Sequence, residues 1–173
     1  MTQHNQFITL LHQGKFIELQ HAIESDDGAH DTLVYALYCI SLWYTPHHDS
    51  ALDWLTAEYP NLEGQAREIV QMSIALIHQD FEQLHTLATD LIASTDVATN
   101  PIIRYLVYYS AGASSLFPII DPETACNTLS TALTIAQNLQ NANLISMSAY
   151  WLGETYSMRG LYQQARITYQ LGM

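Results

Sequence analysis

The sequence predicts an all-α protein built from about five antiparallel helical hairpins, and three observations carry that expectation. Apolar residues recur at three- and four-residue spacing along nearly the whole chain, while strict alternation is nowhere sustained. Turn chemistry interrupts the pattern at Ser25-Asp26-Asp27-Gly28, Thr45-Pro46, Tyr59-Pro60-Asn61, Asn100-Pro101 and Asp121-Pro122. With 173 residues, 49% of them hydrophobic, the chain also has the material for a buried core.

The elements follow in order. Thr2 to Gln13 carries Phe7 and Leu10 and stops at Gly14, and Lys15 to Glu24 spaces Leu19 and Ile23 four apart before the Ser25 cluster. Ala29 to Tyr44 ends ahead of Pro46, and Asp49 to Glu58 runs from an N-cap candidate, Asp49, to Tyr59-Pro60-Asn61. Leu62 to His78 and Asp80 to Ala93 come next, then Pro101 to Leu116, which starts with a proline at its first turn. Pro122 to Gln140 follows Asp121 as N-cap, and Ala142 to Met158 and Leu161 to Leu171 complete the series.

Composition narrows the function classes. Five Lys and Arg stand against 17 Asp and Glu, a formal charge of -12 that repels a phosphate backbone, so nucleic acid is not an expected partner of this segment. Two cysteines, Cys39 and Cys126, fit a reducing compartment better than a disulfide framework, and the cytoplasm is the expected location. The N-terminus lacks a basic start followed by an apolar run, and the most apolar stretch, Tyr105 to Ile120, is too short and too interrupted to span a bilayer. Charged residues make up only 13% of the chain against roughly 25% in ordinary soluble domains, so an unusual share of surface is uncharged or covered.

A repeat is clearest at the tail. In Leu152-Gly153-Glu154-Thr155-Tyr156-Ser157-Met158-Arg159-Gly160-Leu161-Tyr162-Gln163-Gln164-Ala165, a small residue, an aromatic three later, then Gly, aromatic and Ala follow at fixed steps, continued by Tyr169 and Gly172. This resembles the tetratricopeptide repeat family, whose small residues lie where two helices cross closely, and the resemblance puts Gly153 and Ala165 at such a crossing. Ala149 stands where the family usually has Trp, and Met173 is reached before the family's closing Pro. The same steps upstream pass through Ala113, Leu116, Ala125, Leu129 and Ala132, then Met72, Ala75, Leu84, Ala88 and Leu91. They continue through Cys39, Leu42, Ala51 and Leu55, and finally Phe7, Leu10, Leu19 and Ile23, where Gly14-Lys15-Phe16 echoes Gly160-Leu161-Tyr162. Phe7, Cys39, Met72, Ala113 and Gly153 are separated by 32, 33, 41 and 40 residues, around the family period of roughly 34.

The resemblance implies one domain over residues 1–173, an alpha-solenoid with a right-handed superhelical twist. It implies a protein or peptide partner lying along the concave face made by the first helix of each hairpin. By the repeat register that face holds Ala36, Ile40, Trp43, Tyr44, Ile69, Ser73, Ser110, Ser114, Tyr150 and Glu154. Family members that clamp a terminal carboxylate use Lys, Asn and Arg there, and this set contains none. Lengthened repeats such as Ala132-Leu133-Thr134-Ile135-Ala136-Gln137 are similar to the helical sensor regions of large bacterial signalling ATPases and maltose-regulator-type activators. That likeness implies an effector-sensing module of a larger regulator as the alternative function, its nucleotide site lying elsewhere because no phosphate-binding loop is present here.

No residue pattern points to catalysis, a metal or a cofactor. The densest histidine cluster, His47-His48-Asp49, and the pair His78 and His85 lack the three or four converging ligands a zinc site needs. Asp26-Asp27, Glu63, Glu68, Asp90 and Asp96 read as solvated carboxylates, and Cys39 and Cys126 as packing residues. Ser114 and Ser115 follow Gly112 inside a helix and not at a strand-to-helix elbow, so they are not expected to form a hydrolase nucleophile. The last helix carries Leu161, Tyr162, Ile167, Tyr169 and Leu171 with Arg166 as its only charge. A solenoid end without a polar cap is expected either to continue into further repeats or to pair with a second copy.

Overall fold

In the computed structural model, which describes residues 3–26, 28, 30–45, 49–94, 99–117 and 121–173, the described residues form ten α-helices and no strand. The chain divides into two compact units, Met1–Asp80 and Phe81–Met173. Among the described residues no helix is long and apolar enough to cross a membrane.

The first unit is organised around a helix with no polar face. It contains α1 (Gln3–His12), α2 (Phe16–Glu24), α3 (Thr32–Leu42), α4 (Asp49–Glu58) and α5 (Gly64–Ile77), with a single 3-10 turn at Tyr59–Asn61. From Val34 to Leu42 every residue of α3 is buried, because a helix apolar on all sides has to be surrounded. α1, α2 and α5 supply the surround, and α4 packs on α5. The start of α3 falls at Thr32 because the Asp31 carboxylate accepts the Val34 N–H at 3.1 Å. Two core phenols reach outward to carboxylates: Tyr35 donates to Glu58 at 2.9 Å and Tyr38 donates to Glu24. His30 packs edge-on against Tyr35 and Trp54 and lies 3.3 Å from Asp26.

The second unit is sequential. α6 (Phe81–Ala93), α7 (Pro101–Ser114), α8 (Pro122–Asn138), α9 (Ala142–Met158) and α10 (Tyr162–Leu171) each pack on the next. Side chains cap the starts of α7, α8 and α9. Asn100 accepts the N–H groups of Ile102 and Ile103, Asp121 those of Glu123 and Thr124, and Asn141 those of Asn143 and Leu144. α7 also reaches α9, where the Tyr105 hydroxyl donates to the Leu144 carbonyl and Ser148 donates to that hydroxyl, both at 3.3 Å.

One turn recurs across the chain. At Gly14, Gln79 and Gly160 the backbone is left-handed, with φ of 69°, 56° and 72°. Each of these residues donates its N–H three residues back, and the residue after it donates five back: Lys15 to Leu10, Asp80 to Ala75 and Leu161 to Tyr156, at 2.9 to 3.0 Å. This is the Schellman stop, which satisfies orphan carbonyls at a helix end. All three positions lie seven residues after a repeat marker, Phe7, Met72 and Gly153. Gln140, φ 53°, makes the same stop at the end of α8.

Most of the repeat markers are interior, and Leu10 is half-buried. Phe7, Leu19, Ile23, Cys39, Leu42, Ala51, Leu55, Met72, Ala75, Leu84, Ala88, Leu91, Ala113, Leu116, Ala125, Leu129, Ala132 and Ala165 are all buried. Gly153 is closely approached, but by the ring of Tyr169, where the sequence reading had paired it with Ala165: a Cβ on Gly153 would lie 2.4 Å from that ring. Gly112 plays the same part against Leu129, 2.5 Å from an added Cβ. Burial pushes the Cys39 thiol up to about 12, against a smaller lowering by Ser73, in keeping with a packing residue. On α10 the apolar side chains of Tyr162, Ile167 and Leu171 are exposed. The cluster at His47 and His48 lies outside the described residues, as do Asp27, Asp96 and the side chain of Asp49.

Candidate functional site

The second unit carries a partly open pocket of about 170 Å³ at the C-terminal end of α7. Glu82, His85 and Thr86 face it from α6, Ser114 and Ser115 from the last turn of α7, and Phe117 and Asp121 from the segment leading to α8. The local fold aims these groups. Ser114 and Ser115 bond back to their own helix, Ser114 to the Ser110 carbonyl at 2.5 Å and Ser115 to the Gly112 carbonyl at 2.8 Å. His85 Nδ1 lies 3.2 Å from the Ala111 carbonyl, which can only accept, so that nitrogen carries the proton and Nε2 is the acceptor of the neutral ring. Asp121 is held below the usual carboxylate range, first by the Thr124 hydroxyl and N–H and then by the Glu123 N–H and the His85 ring; burial opposes them.

Serine, histidine and aspartate therefore share one cavity, an encounter the sequence reading did not foresee. Their geometry does not activate the serine. Ser114 Oγ is 3.4 Å from His85 Nδ1, the nitrogen that already bears a proton, and its own hydrogen is committed to Ser110. A nucleophile needs a base free to take that hydrogen.

From the mouth of this cavity an aromatic stripe crosses the unit. Phe81 and Phe117 have ring centroids 5.3 Å apart, Phe117 meets Trp151 edge-on at 5.8 Å, Trp151 meets Tyr150 at 5.4 Å, and Tyr150 lies 6.4 Å from Tyr169. Phe117 and Tyr150 are 43% and 53% exposed, so the stripe offers apolar area to a partner. Tyr169 donates to Glu154 at 2.6 Å, fixing its far end, and burial together with that carboxylate pushes the phenol up to about 12.

The ten residues expected along a groove divide sharply. Ser114 lines the cavity, Tyr150 lies on the stripe and Glu154 anchors it. Ala36, Ile40, Ile69, Ser73 and Ser110 are buried to within 1% of full enclosure. The reason is that α3, like much of α5 and α7, buries more than the one stripe that register reasoning assigned to it. Tyr44 lines a separate, shallower depression of about 460 Å³ in the first unit, stacked on Phe16 at 3.7 Å and 8°, while Trp43 is half-buried at the end of α3. Glu82, Thr86 and Phe117 went unnoticed in the sequence. Among the described residues no group of three or more His, Cys, Asp or Glu is arranged to hold a metal ion. No protein-family model, curated protein or solved structure matches this chain.

Proposed function

We propose that this chain is a tetratricopeptide-like helical-repeat scaffold, of about five hairpins over residues 1–173, that binds a protein or peptide partner and has no catalytic centre. The observation that carries this reading is the shared stop at Gly14, Gln79 and Gly160, seven residues after three of the repeat markers and with the same bonds each time. A repeated turn at a repeated register is what a repeat architecture requires. The packing of α3 on both α1 and α5 in the first unit, and the Tyr105 and Ser148 hydrogen bonds that tie α7 to α9 in the second, support neighbouring first helices of the hairpins within each unit. Within that architecture the exposed stripe through Phe117 and Tyr150 is the partner face. The cytoplasm is the proposed location, and the exposed apolar side chains of α10 are the proposed contact with a second copy.

A second reading draws on the cavity: an effector-sensing repeat module of a larger signalling ATPase or transcription regulator, with the effector held beside α7. Affinity capture from the native lysate tests the first, using the wild-type chain and Tyr150→Arg as paired baits with circular dichroism confirming equal helicity. A protein retained by the wild type and lost by the variant supports the stripe as partner face. Equal retention, or none by either bait, contradicts it.

A further inference from the structure

The polar lining of the cavity beside α7 has a single hydrogen-bonding sense. Three hydroxyls line it, and each has spent its hydrogen on a helix carbonyl: Ser114 on Ser110, Ser115 on Gly112, and Thr86 on Glu82 at 3.0 Å. What they retain is lone pairs. His85 has spent its Nδ1 proton on Ala111, leaving Nε2 as an acceptor. Glu82 and Asp121 add carboxylates, and the two N–H groups and the Thr124 hydroxyl on Asp121 do not exhaust a carboxylate's acceptor sites. Among the described residues no Lys or Arg lines the cavity to neutralise it.

A pocket whose described polar groups are all acceptors, two of them anionic, is matched by a group that only donates. An ammonium has three donors and no acceptor. The volume, about 170 Å³, is well below that of a drug-sized pocket and suits a group the size of a side chain. Phe117 supplies an apolar wall for an alkyl chain and a ring for the charge. Residues 81–173 carry a formal charge of -3, which favours cations over anions near the pocket.

We infer that this cavity is a binding site for a primary ammonium group carried on a short alkyl chain, either the end of a lysine side chain or a free aliphatic amine. The inference rests on the reading of the second unit as a binding face and names the chemistry it selects. An anion meets two carboxylates and, among the described residues, no side-chain donor there, and a neutral alcohol satisfies few of the acceptors.

Titration of the intact ¹⁵N-labelled chain with n-butylammonium, followed by amide shifts, tests it against sodium butyrate and 1-butanol. Saturable shifts confined to residues 82–86, 112–117 and 121–124 are expected for the ammonium, with none for the other two. Glu82→Gln, and Asp121→Asn, which keeps an N-cap acceptor, should each weaken binding by about tenfold. Shifts of equal size with butyrate or butanol, no saturable shift with the ammonium, or variants within twofold of the parent would overturn the assignment. Nα-acetyl-lysine methylamide distinguishes the sources: tighter binding than n-butylammonium places the group on a polypeptide, and weaker binding on a free amine. Absent ammonium binding alongside capture of a protein that depends on Tyr150 overturns this inference alone; ammonium binding without such capture leaves it standing and overturns the partner face.

Discussion

The two units use polar groups differently. In the first, Tyr35, Tyr38 and His30 are drawn into the core and tied to Glu58, Glu24 and Asp26, so carboxylates at the rim serve interior rings. In the second, Asn100, Asp121 and Asn141 sit at helix starts, and close approach is handled by glycines at 112 and 153. The charge follows the division. Residues 1–80 hold 11 Asp and Glu against two Lys and Arg, a formal -9, while residues 81–173 hold six against three, a formal -3. A unit that consumes its carboxylates in holding buried phenols is sensitive to alkali, whereas one that closes its helices on caps and glycines is sensitive to side-chain volume.

The largest expected effect lies in the first of these. Burial comes first among the causes that push the Tyr38 and Tyr44 phenols above their ordinary range, and the Glu24 carboxylate adds to it for Tyr38. A phenol whose folded pKa lies above its unfolded value stabilises the fold below the unfolded value of about 10 and loses that contribution as pH climbs toward the folded one. Urea unfolding should therefore show a loss of roughly 3 kcal/mol between about pH 9 and pH 11 from these two, with Tyr35, raised by burial and by the Glu58 carboxylate, adding to it. A flat profile over that range would mean that the phenols ionise freely in the folded state.

Volume should matter more in the second unit. Gly112→Ala places a methyl 2.5 Å from Leu129 Cγ, an atom at the branch of its side chain with little room to swing away, and should cost about 1 to 3 kcal/mol by thermal or urea denaturation. Gly153→Ala meets the Tyr169 ring and should lie in the same range. Unchanged melting of both would remove the contrast between the units.

Asp121→Ala should cost about 1 kcal/mol through the lost cap, and Asp121→Asn distinctly less. Because the folded pKa of Asp121 is depressed, its contribution is present above the unfolded value of about 3.9 and is lost as pH falls through the folded one. The Asn variant should therefore lose part of the parent's acid sensitivity while keeping its helix. Comparison of the three proteins from neutral pH down to about pH 2 checks this, and identical acid profiles would contradict it.

The smallest effects belong to the shared turns. Gly160→Ala leaves open space around its new methyl yet holds an L-residue at φ 72°, for about 1 kcal/mol of strain, whereas Gln79→Gly should gain a few tenths by relieving the same strain.

These turns show how much of the fold the sequence disclosed. Gly14 and Gly160 announce a stop because glycine is at ease in the left-handed region, and both were read as an echo. Gln79 and Gln140 adopt the same backbone without any residue-level signal, so the ends of α5 and α8 were placed by periodicity alone. The residues now proposed as a partner face were only partly legible. Tyr150 and Glu154 were assigned from the terminal repeat, and Ala36 and Ile40, assigned to the same face, lie buried in α3, whose run Thr-Leu-Val-Tyr-Ala-Leu-Tyr-Cys-Ile-Ser-Leu has no polar face to turn outward. The cavity was illegible because His85 and Ser114 stand 29 residues apart and meet only when α6 packs on α7.

The central claim is that one repeated turn, at one register, organises the chain as a helical-repeat scaffold. Backbone chemical shifts and HN–Hα couplings of the labelled protein measure φ at Gly14, Gln79 and Gly160 directly. The account predicts a positive φ at all three, between helical stretches that end and restart as α1 and α2, α5 and α6, and α9 and α10 do. A negative φ at Gln79, with helix continuing through Asp80, would contradict the register and the repeat reading built on it.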